Sequence, residues 1–186
     1  MLRSCRKSVT GNSEKWVFSV SEQAGKTETE AVQGRTRPAA RKDVGPIAAL
    51  LSEAAEKGLV LPRTEREIIE NLDNFLVFEL AEETVGCVAL RDFGEGLFEV
   101  RSLVVREDVS GRRIGSRLVK DVVETVRLRE GNEIFSLTYR PGLFQRQGFN
   151  LVDKNRFPQK VWSDCSICRK RDNCDEIAML LRLEHS

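Results

Sequence analysis

The seven residues Ser110–Ser116, SGRRIGS, put two glycines, two arginines and two serines into one short turn. Leu103–Val105 ahead of it reads as strand, and Ile114 onward as helix. A helix N-terminus presents unpaired N–H groups and the positive end of its dipole, so a pyrophosphate can sit there. Gly111 and Gly115 let the backbone come close, Arg112 and Arg113 add charge, and Ser110 and Ser116 add hydroxyls. Alone, the stretch also reads as an ordinary basic helix start with a solvated face. Cysteine makes a second cluster, with Cys165, Cys168 and Cys174 near the C-terminus. The Cys-x-x-Cys spacing suits zinc, but a closed structural site takes four ligands. Cys174 makes three, and the only histidine, His185, follows the last expected strand. Cys5 and Cys87 lie far off in sequence, Cys87 as a core strand residue. No metal is expected; zinc and a redox-responsive pair stay open beside reduced structural thiols.

The chain of 186 residues suggests one domain with a tail. Its 30 basic and 29 acidic residues leave a net charge of +1, so any anion site must be a local cluster and no nucleic-acid partner is expected. No apolar run approaches the roughly 20 residues of a membrane span. The N-terminus lacks the apolar block of a secretory signal. These features imply a cytoplasmic protein with mostly reduced thiols. Met1–Arg35 is polar, with WVFSV at Trp16–Val20 as its apolar island, and reads as a disordered extension. Glu14, Glu22, Glu28 and Glu30 give it the wrong charge for a transit peptide. The domain is then 36–186, with a cysteine-containing segment at about 158–176.

The elements that must position the turn follow from periodicity. Thr36–Ala39 is a short extended piece, and Asp43 is a plausible N-cap for a helix striped with Ile47, Leu50, Leu51 and Ala54 that stops at Gly58. Thr64–Glu67 fits a capping box opening a helix with Ile68, Ile69 and Leu72. Phe75–Leu80 and Val85–Leu90 are strands across an acidic turn, and Asp92–Gly96 turns into a third strand, Leu97–Val105. Ile114, Leu118, Val119, Val122, Val123 and Val126 stripe a long helix ended by Gly131. Strand Ile134–Thr138, helix Gly142–Gln147, strand end Phe149–Val152 and strand Ile177–Leu183 complete an α+β order. The sheet should be mixed and mostly antiparallel, flanked by helices.

The strand–turn–helix after a three-strand meander resembles the pantetheine and pyrophosphate site of the GNAT (Gcn5-related) N-acetyltransferases. Their loop reads Gln/Arg-x-x-Gly-x-Gly/Ala after a strand ending in Val. Val105 and Gly115 match, while Ser110 stands where Gln or Arg is usual and Arg113 where the first glycine is usual. TRPAARKD at Thr36–Asp43 resembles the family's opening strand and helix start, and LFQRQGF at Leu143–Phe149 its aromatic-x-x-x-Gly-Phe element. The resemblance covers about residues 36 to 183. It implies the GNAT fold and acetyl-CoA as co-substrate. Leu103, Val104 and Val105 would offer backbone groups to pantetheine where their strand splays from its neighbour. Ser110, Gly111, Arg112, Arg113, Ile114, Gly115, Ser116 and Phe144 would complete the cofactor site.

Several segments resemble one subgroup, the short amino-acid N-acetyltransferases of the N-acetylglutamate synthase kind: GLVLPRTEREIIENLDNFLVFE at Gly58–Glu79, VGCVAL at Val85–Leu90, FEVRSLVV at Phe98–Val105 and LTYRPGLFQRQGF at Leu137–Phe149. In that subgroup an arginine before the second helix and one at a strand end hold the substrate's carboxylates, and Arg63 and Arg140 match. Arg101 is a third candidate, its facing set by strand alternation. A dicarboxylate amine wants two cations, and bidentate arginine fixes orientation as well as charge. Glu99 matches the family's strand carboxylate, implying the base that takes the amine proton through water. The family's acid is often a tyrosine before Gly-Phe. Phe144 stands there, leaving Tyr139 as a weaker candidate, or solvent. The FPQKVWSDC…CDEIAM tail also resembles this subgroup.

The resulting expectation is acetyl transfer to an amino acid, L-glutamate first, which opens arginine synthesis. The sequence shows no amino-acid kinase domain, so arginine inhibition through one is not expected. Glutamine, another amino acid or a protein amine stay open as acceptors, as does an acyl-CoA-binding module without turnover. No membrane partner is expected, and a homodimer stays open.

Overall fold

A computed structural model describes residues 33–157, 164, 168, 170 and 173–184. The expectations for the N-terminal extension and for Cys5, Cys165 and His185 fall outside those residues. Strands β1 (Gly34–Pro38), β2 (Phe75–Leu80), β3 (Glu83–Asp92) and β4 (Leu97–Val105) form an antiparallel meander. β5 (Glu133–Thr138) joins β4 in parallel, and β7 (Ile177–Arg182) and β6 (Asn150–Val152) continue antiparallel. The sheet order is β1-β2-β3-β4-β5-β7-β6. A parallel pair needs a crossover, supplied here by helix α3 (Ile114–Leu128). The other helices are α1 (Val44–Glu56), α2 (Glu65–Glu70) and α4 (Pro141–Gln145).

Strand alternation divides the core between the two faces of the sheet. Val77 and Cys87 pack with Ile47, Leu50 and Leu51 of α1, while Phe78 and Val88 pack with Leu118, Val119 and Val122 of α3. Every apolar residue of the α3 stripe is buried, which holds the N-terminus of that helix against the end of β4. The β2–β3 hairpin turns through Ala81 and Glu82, both with positive φ, as a tight two-residue turn demands.

Differences from the sequence expectation are local. β1 begins at Gly34, two residues before the extended piece read from sequence, because its pairing with β2 continues to Leu80. Thr64 and Glu67 do form the reciprocal capping box of α2, but Ile69 points outward and is 40% exposed. Asp43 is the N-cap residue of α1, as expected, but its side chain accepts no cap hydrogen bond from that helix. Its carboxylate instead accepts from Arg37 Nη1 and Nη2 at 2.7 and 2.9 Å, from the Ala40 N–H at 2.8 Å and from Thr84 Oγ1 at 2.7 Å. A buried carboxylate needs such partners. This one ties β1, the start of α1 and β3 together.

Candidate active site

β4 and β5 share three register pairs, Leu97 with Glu133, Phe98 with Ile134 and Glu99 with Phe135. Beyond them the strands part. β4 is distorted along the same stretch, with a register shift against β3 between Cys87 and Ala89 and a positive φ of 52° at Ser102. Ser136 Oγ donates to the Val100 carbonyl at 2.9 Å, at the fork. Between the parted strands lies a cleft of about 380 Å³. Glu99–Val105 line it from β4, and residues 136–140 line it from β5 and the turn after it. The expected pantetheine residues Leu103, Val104 and Val105 are among them.

The end of the cleft is the turn into α3. Gly111 has φ 82° and Arg113, the N-cap of α3, has φ 60°. Arg113 therefore takes a left-handed backbone where the resembled loop carries glycine, at a cost in strain. The first bond within the helix runs from the Arg117 N–H to the Arg113 carbonyl at 3.1 Å. The N–H groups of Ile114, Gly115 and Ser116 precede it and sit at the cleft, whose lining includes Ser110, Gly111, Arg113, Ile114, Gly115 and Ser116. Arg112 is exposed and is not among the lining residues. One arginine of the pair faces the cleft.

The other expected residues come together at the fork. Glu99 is 2% exposed and ends the paired part of β4. Arg101 follows on the same face, its Nη1 3.9 Å from Glu99 Oε2, which answers the question of facing left by alternation. Arg63, from the segment before α2, also lines the cleft, and its Nη2 is buried with no hydrogen-bond partner among the described residues. Tyr139 and Arg140 line it from the β5 side. Lys170 Nζ donates to the Tyr139 hydroxyl at 3.2 Å and lies 4.7 Å above its ring. Burial raises the Tyr139 pKa despite that cation, so the phenol holds its proton at neutral pH. Phe144 is buried edge-on against Phe149, with ring centroids 5.2 Å apart, and can only shape the wall.

The sequence reading missed Asp164. It is 5% exposed, and its carboxylate lies 2.9 Å from Arg101 Nη2, 3.3 Å from Arg91 Nη1 and 3.7 Å from Arg63 Nη2. Its neighbourhood in sequence, SDCSIC, drew attention to the cysteines alone. Of these, Cys168 lines the cleft, while burial pushes the Cys87 thiol up to about 12. Among the described residues no three His, Cys, Asp or Glu side chains are grouped to hold a metal. No described helix is long and apolar enough to cross a membrane.

Residues 71–151 match the acetyltransferase (GNAT) domain family. An uncharacterized N-acetyltransferase of Chlorobaculum tepidum is 39% identical over 148 residues, 79% of this chain and 95% of its own length. The amino-acid acetyltransferase of Shewanella oneidensis is 31% identical across 71% of this chain, which spans 30% of that longer protein. Among solved structures, Rv2747 of Mycobacterium tuberculosis, in complex with CoA and NLQ, superposes with a TM-score of 0.70 at 26% identity, covering 81% of this chain and 99% of its own. N-acetylglutamate synthase of Neisseria gonorrhoeae, complexed with coenzyme A and N-acetyl-glutamate, has the same fold, with a TM-score of 0.72 at 23% identity, covering 82% of this chain and 35% of its own. The chain belongs to the GNAT N-acetyltransferases. It is an acetyl-CoA-dependent acetyltransferase with the α+β fold expected from its sequence.

Proposed function

We propose that the protein transfers the acetyl group of acetyl-CoA to the α-amine of a free amino acid, with L-glutamate as acceptor. The observation that carries this reading is the convergence of Arg63 and Arg101 beside buried Glu99 at the fork of β4 and β5. The Arg63 Nη2 donor is buried and wants an oxygen, since an unsatisfied buried donor costs about 1–3 kcal/mol. A substrate carboxylate meets that need. Arg140, at the exposed side of the cleft, takes the second one. Relatives called amino-acid acetyltransferase support the choice, although this chain spans 30% of the length of the one from S. oneidensis.

Acetyl-CoA lies along Leu103–Val105, with its pyrophosphate on Ser110–Ser116. Glu99 takes the amine proton, directly or through water, as the nitrogen attacks the thioester carbonyl carbon. The C–N bond forms, and backbone N–H groups at the fork stabilise the oxyanion. The C–S bond then breaks and Tyr139 protonates the thiolate. On this reading the protein opens arginine synthesis, and free Cys87, Cys168 and Cys174 suit a reducing cytoplasm. Glutamine is the second reading, favoured by Asp164, whose carboxylate already takes Arg101.

Thiol release from acetyl-CoA, measured with a panel of amino acids, tests the proposal. Glutamate should accelerate release most, and Arg63→Ala should raise the glutamate KM about tenfold or more while leaving that of acetyl-CoA unchanged. If no amino acid accelerates release while acetyl-CoA binds, the acceptor reading falls. Equal effects on both KM values would remove Arg63 from acceptor binding.

A further inference from the structure

We propose that Lys170 is a positioning residue for the proton that Tyr139 gives to the departing thiolate. Its ammonium fixes which way the phenol O–H points and holds the phenolate that is left behind. The proposal rests on the acid role given to Tyr139 above and names what makes that role workable.

The donor and acceptor inventory of the two side chains sets the direction of the proton. A phenol oxygen has one proton to give and can also accept, whereas an ammonium gives three protons and accepts none. Lys170 Nζ lies 3.2 Å from the Tyr139 hydroxyl, so Lys170 is the donor there and the phenol the acceptor. The single proton of Tyr139 must then point away from Lys170. Among the described residues none accepts it, and Tyr139 lines the cleft. A sulfur arriving at that end of the cleft meets an O–H already turned outward. Lys170 is itself held: Nζ sits 4.7 Å from the centre of the Tyr139 ring and 3.8 Å from Asp175 Oδ1. Its stem runs beside Gly58, where an added Cβ would meet Cε at 3.7 Å.

The energetics show why the tyrosine needs this partner. A free thiol has a pKa of about 8.5 and a phenol one of about 10, so the transfer runs uphill. Burial steepens that slope, the Lys170 hydrogen bond and charge work against it, and the charges of Glu176 and Asp175 act with burial. As the C–S bond breaks, its electron pair stays on sulfur, which takes the Tyr139 proton, and the phenolate remains against the ammonium. The Lys170 side chain is 46% exposed. Lys170 therefore returns a proton to the phenolate and regains one from water, while Glu99 gives the amine proton back to water. The cycle closes with no net change in protons on the protein.

The test uses Lys170→Met, which keeps the stem and removes the charge, and Lys170→Arg, which keeps a cationic donor. With acetyl-CoA and the best amino-acid acceptor both saturating, Lys170→Met should lower kcat about tenfold, a share of the roughly 100-fold or more that a placed acid contributes. Both KM values should stay as they were, and Lys170→Arg should recover most of the rate. In a Tyr139→Phe background, Lys170→Met should cost nothing further. An unchanged kcat, or an equal loss in both backgrounds, overturns the proposal. A second readout needs no turnover. Tyr139 is the only tyrosine of the chain, so phenolate absorbance over a pH series follows its ionisation directly. Lys170→Met should move that titration to higher pH than in wild type or Lys170→Arg, because the cation that favours phenolate is gone. An unmoved or lowered midpoint overturns the proposal. The acid role fails in a different way: Tyr139→Phe with full activity would remove it, even where the titration shows Lys170 holding the phenol.

Discussion

A left-handed backbone at Arg113 costs an L-residue roughly 1–2 kcal/mol, which a glycine would not incur. The strain is tolerated where the side chain returns something, and here it places a cation at the N-terminus of α3 beside the cleft. Arg113→Gly should therefore separate the two effects. The relief of strain and the added freedom of the unfolded chain are of similar size, so the melting temperature should change by no more than a few degrees. The KM for acetyl-CoA should rise several-fold, and more steeply at low ionic strength, where a lost charge matters most. A variant with unchanged KM would reduce Arg113 to a strained turn residue. At this scale the sequence was legible where a motif or a charge requirement singled residues out, as with Arg63, Glu99 and Gly115. It was silent about Asp164, since a single acid among cysteines carries no period and no spacing. The left-handed turn was half legible: the missing glycine was visible, but not that arginine would take a left-handed backbone there.

Among the elements, β1 and the start of α1 depend on one buried carboxylate. The Arg37 guanidinium, with the Ala40 N–H and Thr84, holds Asp43 well below its ordinary value of 3.8. A depressed acid stabilises the fold above its unfolded pKa and loses that contribution as pH falls through its folded pKa. The loss begins below about pH 4 at about 1.4 kcal/mol per pH unit. Asp43→Asn should cost about 3 kcal/mol at neutral pH, the penalty for leaving Arg37 half-buried without its main partner. It should also flatten the acid limb of stability measured by urea titration at a series of pH values. A parallel acid limb in both proteins would assign the sensitivity to other carboxylates. The sequence located this element through the apolar stripe of α1 and the acid before it. Periodicity fixes which face is buried but not which partner a polar side chain finds. The Asp43 carboxylate thus turned from an expected cap to a contact with a strand 41 residues away.

Across the whole molecule, the sheet is continuous on paper but joined at its centre by the three register pairs of β4 and β5. One side carries β1–β4 with α1 and α2, and the other carries β5, β7 and β6. Apolar packing across α3 spans both, since Val100, Val122, Ile134 and Met179 belong to one core cluster. A ligand lying in the fork hydrogen-bonds where strand partners are missing, so it should stabilise the fold by mass action. Acetyl-CoA at about 100 times its Kd should add roughly 2.7 kcal/mol, seen as a melting temperature that climbs with the logarithm of its concentration. Amide exchange should slow most along residues 100–105, and uniform slowing over the chain would argue against binding at the fork. The parting of two strands was not legible from local pattern: β4 and β5 each read as ordinary strands, and only their register shows where pairing stops. On the proposed function, the gap that admits the thioester is also where β4 and β5 lack each other's hydrogen bonds, so the bound reactant completes a seam that the strands leave open.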